Sequence, residues 1–190
     1  SSYFFGREVE INDAVQRLRL RPFLIVIGAS GSGKSSLVFA GIAPAMQKSS
    51  FFGGERLQIC VFRPDAAPMS ALAAALGCPA GAVSAPEELI ACAREKARAA
   101  PTLLIVDQFE ETFTLALAAE AALFQSVLPR LIGLPGLSLL ITARADFYAN
   151  LMNSPLWPAI QAHRLEITTL GEEALRAAIT LPAAAVGVTV

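Results

Sequence analysis

Residues 24–37 read LIVIGASGSGKSSL, and within them GASGSGKS (28–35) matches the spacing G-x-x-x-x-G-K-[ST]. The spacing has a mechanical basis. Gly28, Gly31 and Gly33 tolerate backbone angles that other residues avoid. The chain can therefore wrap until successive N–H groups point inward at one phosphate. A helix starting at the loop adds its positive N-terminal end. Lys34 reaches toward β- and γ-phosphates, and the Ser35 hydroxyl suits Mg²⁺. Candidate nucleotide contacts are Gly28, Ser30, Gly31, Ser32, Gly33, Lys34, Ser35 and Ser36. The competing reading is a Gly/Ser turn. Against it, the motif follows a short apolar run, FLIVI (23–27), and precedes a helical pattern over 34–47.

Outward from the loop, short apolar runs alternate with amphipathic segments. Strands are expected at 57–62, 102–106, 137–142 and 164–169. Helices are expected at 8–20, at 86–100 behind Pro86, at 118–133 with an end or kink near Pro129, and from 171 onward. This alternation implies right-handed crossovers and a mostly parallel sheet covered on both faces, an α/β fold.

Two strand ends carry further chemistry. TLLIVDQFEE (102–111) ends a buried strand in Asp107, a carboxylate suited to holding Mg²⁺ opposite the loop. Glu110 and Glu111 follow, and either can orient or deprotonate an attacking water. The alternative is a solvated acidic loop capping the next helix. LSLLITARADFY (137–148) ends in Thr142 and Arg144. Ligands of open α/β sheets bind at the carboxyl ends of strands, so Arg144 is placed to contact a γ-phosphate. Its alternative is a surface pair with Asp146.

Composition removes other classes. The chain of 190 residues is 54% hydrophobic with a formal net charge of −1, which argues against disorder and against a basic nucleic-acid surface. The one His and three Cys show no metal-ligand spacing, so no His/Cys metal cluster is expected. Cys60, Cys78 and Cys92 have no C-x-x-C spacing and read as reduced, mostly buried thiols of a cytoplasmic protein. The uncharged stretch 66–86 is broken by Pro and Gly, so it reads as short helices and loops rather than a membrane span. No basic n-region followed by an apolar run is visible at the start, so no signal peptide is read there, and both termini read as cuts in a longer protein.

Taken together, the motifs resemble the nucleotide-binding domain of the STAND class of P-loop ATPases, relatives of the AAA+ proteins, and in particular the bacterial novel STAND NTPases. FFGRE (4–8), PFLIVIGASGSGKSSLVFAGIAPAM (22–46), LLIVDQFEETF (103–113) and LLITARADFY (139–148) carry the resemblance. The segment 165–188 resembles the last strand and the start of a helical lid. The resemblance implies a three-layer α/β/α sandwich with a five-stranded sheet in the order 5-1-4-3-2, a core over 1–170 and a truncated lid over 171–190. It implies that Arg7 lies near the base, ribose or phosphates, that Pro182 approaches the nucleotide from the lid, and that the acidic pair after Asp107 serves hydrolysis. It further implies ATP and Mg²⁺ as ligands, self-association of the full-length protein, and sensor or effector modules beyond this chain. The expected function is a slow ATPase switch in bacterial signalling or defence. The alternatives are a small-molecule or nucleotide kinase, or a module that binds nucleotide with little hydrolysis. A GTPase is disfavoured because no N-K-x-D stretch is present.

Overall fold

The computed structural model describes residues 6–48, 56–79 and 85–169. Phe4 and Phe5 of the upstream box and the expected lid, including Pro182, lie outside these residues. Five parallel strands form one sheet in the order β2-β3-β4-β1-β5. They are β1 (Phe23–Gly28), β2 (Gln58–Phe62), β3 (Thr102–Val106), β4 (Leu137–Arg144) and β5 (Arg164–Ile167). This is the expected order, read from the other edge.

β1 and β3 are buried along their whole length, as continuous apolar runs require. Side chains of β1 alternate between two cores. Phe23, Ile25 and Ile27 face a core shared with α4 (Pro68–Leu76), α5 (Pro86–Ala99) and α7 (Ala118–Ile132). Leu24 and Val26 face the opposite core, with α1 (Glu8–Leu20) and the helix that follows the loop. The result is three layers, with the sheet in the middle.

The helix after the loop is not uniform. It runs as α2 (Lys34–Ser36), a π-helical segment (Leu37–Ile42) and α3 (Ala43–Lys48). The widened turn falls just before Pro44, whose ring crowds the carbonyl four residues back. A π-turn relieves that crowding and is a recurrent feature beside functional sites. α7 continues through Pro129 to Ile132 instead of ending there. After β4 the chain makes a 3₁₀ turn (Ala145–Phe147), then α8 (Tyr148–Met152) and α9 (Trp157–Ala162). The short α6 (Glu111–Thr114) follows β3.

One expectation is overturned. Cys78 and Cys92 are joined in a disulfide, with their Cα atoms 5.9 Å apart. The turn after α4 brings Cys78 onto the face of α5 that carries Cys92, a proximity that linear spacing does not reveal. Cys60 remains a free, buried thiol.

Parallel register aligns the strand ends that matter. Gly28 pairs with Arg144 and Ile167, and Val106 pairs with Ile141. Asp107 therefore emerges beside Thr142, at the edge of the loop that leaves β1.

Candidate functional site

The loop closes tightly on itself. A Cβ on Gly28 would sit 2.6 Å from Ser32 Oγ and 2.7 Å from the Ile167 carbonyl oxygen, so no side chain fits there. Gly33 enters α2 at φ +85°, a left-handed conformation that favours glycine. The Ser32 N–H donates to the Ala29 carbonyl at 3.2 Å, and its side chain is buried beneath the loop. Lys34 is almost fully buried, and its Nζ donates to the carbonyls of Gly28 and Ala29 at 2.9 and 2.8 Å. Burial lowers its pKa from the ordinary lysine value, an effect partly offset by the negative charge of Glu110.

Arg7 stands behind this loop. Its guanidinium donates to the Ser32 carbonyl at 3.0 Å, to the Thr168 carbonyl at 2.5 Å and to Glu10 at 2.8 Å. The side chain is 5% exposed and ties the loop to the end of β5. In this arrangement it is a strut of the loop and does not line the cleft in front of it.

Asp107 is the hub of the site. Its carboxylate is 1% exposed and satisfied on both oxygens. Oδ1 accepts from Ser35 Oγ and Thr142 Oγ1, each at 2.8 Å. Oδ2 pairs with Arg63 Nε at 3.3 Å. Thr142 Oγ1 also accepts the Gln108 N–H at 2.9 Å, so one hydroxyl ties two strand ends together. A buried carboxylate needs such partners, because an uncompensated charge there is strongly unfavourable.

The acidic pair is split by its surroundings. Glu110 is 7% exposed, and its Oε2 accepts the Arg144 N–H at 3.2 Å. Burial raises its pKa above the ordinary carboxylate value. Glu111 instead caps the β2 exit, where its Oε2 accepts the Asp65 N–H at 3.1 Å. The Arg144 side chain pairs with Asp146 and lies 5.8 Å from the centre of the Phe147 ring. The pairing with Asp146, the alternative read from sequence, is thus present, and Arg144 also lines the cleft in front of the loop.

A cleft of about 520 Å³ opens in front of the loop. Ser30, Gly31, Gly33, Lys34, Ser35 and Ser36 line one side. Gln108, Glu110, Glu111, Thr114, Arg144 and Phe147 line the other. Gly28, Ser32, Arg7 and Asp107 support that lining from behind. Arg63 went unnoticed in the sequence, although it stands directly after an apolar strand run, the same signal that singled out Asp107.

The donor set fits Mg²⁺ held together with a phosphate. Among the described residues no group of three or more His, Cys, Asp or Glu side chains forms a metal site. The protein instead offers one hydroxyl, Ser35, hydrogen-bonded to one carboxylate, Asp107. Mg²⁺ prefers this sparse arrangement because it retains waters and takes substrate phosphate oxygens.

This sheet order with a glycine-rich loop at β1 defines a P-loop NTPase of the three-layer α/β/α kind. A profile of the family "Novel STAND NTPase 1" matches residues 1–190, so the chain belongs to that family and is an NTPase module. No curated protein sequence matches significantly. Among solved structures, the ORC2 protein of Aeropyrum pernix, in ADPNP–ADP complexes, superposes with a TM-score of 0.66 at 14% identity, over 94% of this chain and 52% of that one. The ORC1 protein of the same organism, in complex with DNA, gives 0.66 at 14%, over 97% and 51%. The Walker-type ATPase PABY2304 of Pyrococcus abyssi gives 0.65 at 13%, over 98% and 60%. The chain thus spans 51–60% of the length of these structures, and the likeness is one of fold. No helix among the described residues is long and apolar enough to cross a membrane.

Proposed function

We propose that this chain is the ATP-binding and ATP-hydrolysing switch domain of a larger signalling protein. The observation that carries the proposal is the meeting of Ser35, Thr142 and Asp107 at 2.8 Å contacts, next to a loop whose lysine is buried. Three separate segments converge there on the chemistry that a nucleotide triphosphate needs.

In this reading the loop N–H groups and Lys34 hold the phosphates. Ser35 and Asp107 hold Mg²⁺, which would neutralise charge on the phosphate oxygens. Glu110 orients the attacking water and takes its proton, a role for which a carboxylate with a raised pKa is the stronger base. Glu111 holds the β2 exit, and Arg144 faces the phosphate end of the cleft. The family assignment favours nucleotide state as a control over self-association and effector modules of the full-length protein, in a bacterial signalling or defence setting. Turnover by this domain alone is slow in this reading, because lid and partner contacts complete the site.

The test is binding of ATP, ADP and GTP to the purified chain, followed by phosphate release with Mg²⁺ and no acceptor. Preference for adenine nucleotides and acceptor-independent release are expected, whereas acceptor-dependent turnover would point to a kinase. Lys34→Ala removes a charge-assisted contact and should weaken ATP binding about ten- to hundredfold. An unchanged affinity would refute the phosphate assignment.

A further inference from the structure

We propose that Arg63 is the resident counter-ion of Asp107 and competes with Mg²⁺ for that carboxylate, so that it sets the Mg²⁺ concentration at which nucleotide is gripped. The inference rests on the reading of Asp107 as the Mg²⁺ carboxylate.

The placement follows from the sheet. Phe62 pairs with Val106, and the Asp107 N–H donates to the Phe62 carbonyl at 3.0 Å. Arg63 and Asp107 are thus the next residues of adjacent strands. The two hydroxyl donors both use Oδ1, and the guanidinium takes Oδ2 at 3.3 Å. Among the described residues this is the one ion pair that Asp107 makes.

The contact belongs to a larger ring. With its amide oriented to satisfy both neighbours, Gln108 accepts from Arg63 Nη2 at 3.1 Å and donates to Glu111 Oε1 at 3.0 Å. Glu111 in turn accepts the Asp65 N–H at 3.1 Å, which returns the ring to the loop that carries Arg63. Asp65 and Gln108 have φ of +50° and +58° and are the two non-glycine residues with positive φ among those described. Backbone of this kind persists where surrounding contacts hold it. Arg63 therefore clasps the β2 and β3 exit loops.

The asymmetry of burial makes the clasp releasable. Asp107 is 1% exposed, while the Arg63 side chain is 57% exposed on a long stem. A buried carboxylate requires a compensating cation. A divalent ion on the Ser35 side of the same carboxylate repels the guanidinium, and water is available to receive it. Mg²⁺ binding and the Arg63 clasp are then mutually opposed.

The experiment titrates Mg²⁺ against binding of a fluorescent ATP analogue, without reading turnover, for the parent chain, Arg63→Gln and Arg63→Lys. Arg63→Gln keeps a hydrogen-bond donor and loses the charge. It should lower the half-saturating Mg²⁺ concentration about threefold or more. Arg63→Lys keeps the charge but loses the fork that also holds Gln108, so its midpoint should fall between those of the parent and Arg63→Gln. A single cooperative thermal transition and unchanged circular dichroism in both variants show that the fold is intact. A midpoint that Arg63→Gln leaves in place or raises overturns the inference. A parent chain whose nucleotide affinity ignores Mg²⁺ overturns instead the reading of Asp107 on which it rests.

Discussion

Thr142→Val isolates the hydroxyl that joins the two strand ends at the cleft. Thr142 is fully buried, donates to Asp107 Oδ1 at 2.8 Å and accepts from the Gln108 N–H at 2.9 Å. Valine keeps the branched shape and the strand preference, so the change leaves no cavity. Loss of a hydrogen bond to a charged acceptor costs about 1.5–3 kcal/mol, and an orphaned, part-buried N–H adds about 1 kcal/mol. The expected destabilisation is about 2–4 kcal/mol. For a domain of this size each kcal/mol lowers Tm by about 2–4 °C, so a drop of about 5–15 °C follows. Thr142→Ser retains both bonds and loses one buried methyl, at about 1 kcal/mol. Urea denaturation with an unchanged m value measures both. If the serine variant is as destabilised as the valine variant, the methyl and not the hydroxyl secures this position, and the account of Asp107 fails.

Other expectations concern the acid pair and the loop. Burial raises the Glu110 pKa, so the stability tied to its protonated form is complete below its unfolded value near 4.5 and is lost as pH rises through the folded value. Glu110→Gln should therefore raise the Tm of the nucleotide-free protein at neutral pH, by an amount that fades toward acid, while abolishing phosphate release. A pH-independent Tm difference would contradict this. Glu111→Gln should spare most turnover, and loss of phosphate release in this variant alone would reverse the roles assigned to the pair. Gly28→Ala pushes a methyl to 2.6 Å from Ser32 Oγ and 2.7 Å from the Ile167 carbonyl, an overpacking worth about 1–3 kcal/mol. Adding Ser32→Ala should recover only part of the loss, because the backbone contact remains. An unchanged melting temperature in Gly28→Ala would show that the loop is looser than described.

Much of this protein is written locally. β1 and β3 are legible because a strand covered on both faces must be apolar at every position. The phosphate loop is legible because its work is done by consecutive residues, whose glycines and lysine need no distant partner to be recognised. The breaks in 66–86 read as short helices and loops, and α4 is one of them. Less was legible where the chain doubles back. The cysteines gave no hint of pairing, since Cys78 and Cys92 meet only after α4 and α5 pack together.

The division between the two kinds of information is physical. Sequence alone determined the class of fold, the loop and the acidic strand end, because periodicity and backbone chemistry are short-range. Only the tertiary structure decided which partners each polar residue takes. Arg63 and Thr142 lie 44 and 35 residues from Asp107 and reach it through parallel register. Glu110 and Glu111 are neighbours in sequence and alike in chemistry, yet one is buried against Arg144 and the other is held at the β2 exit. Arg7 became a strut behind the loop for the same reason. Burial and hydrogen-bond partners belong to the packed sheet, and no reading along the chain contains them.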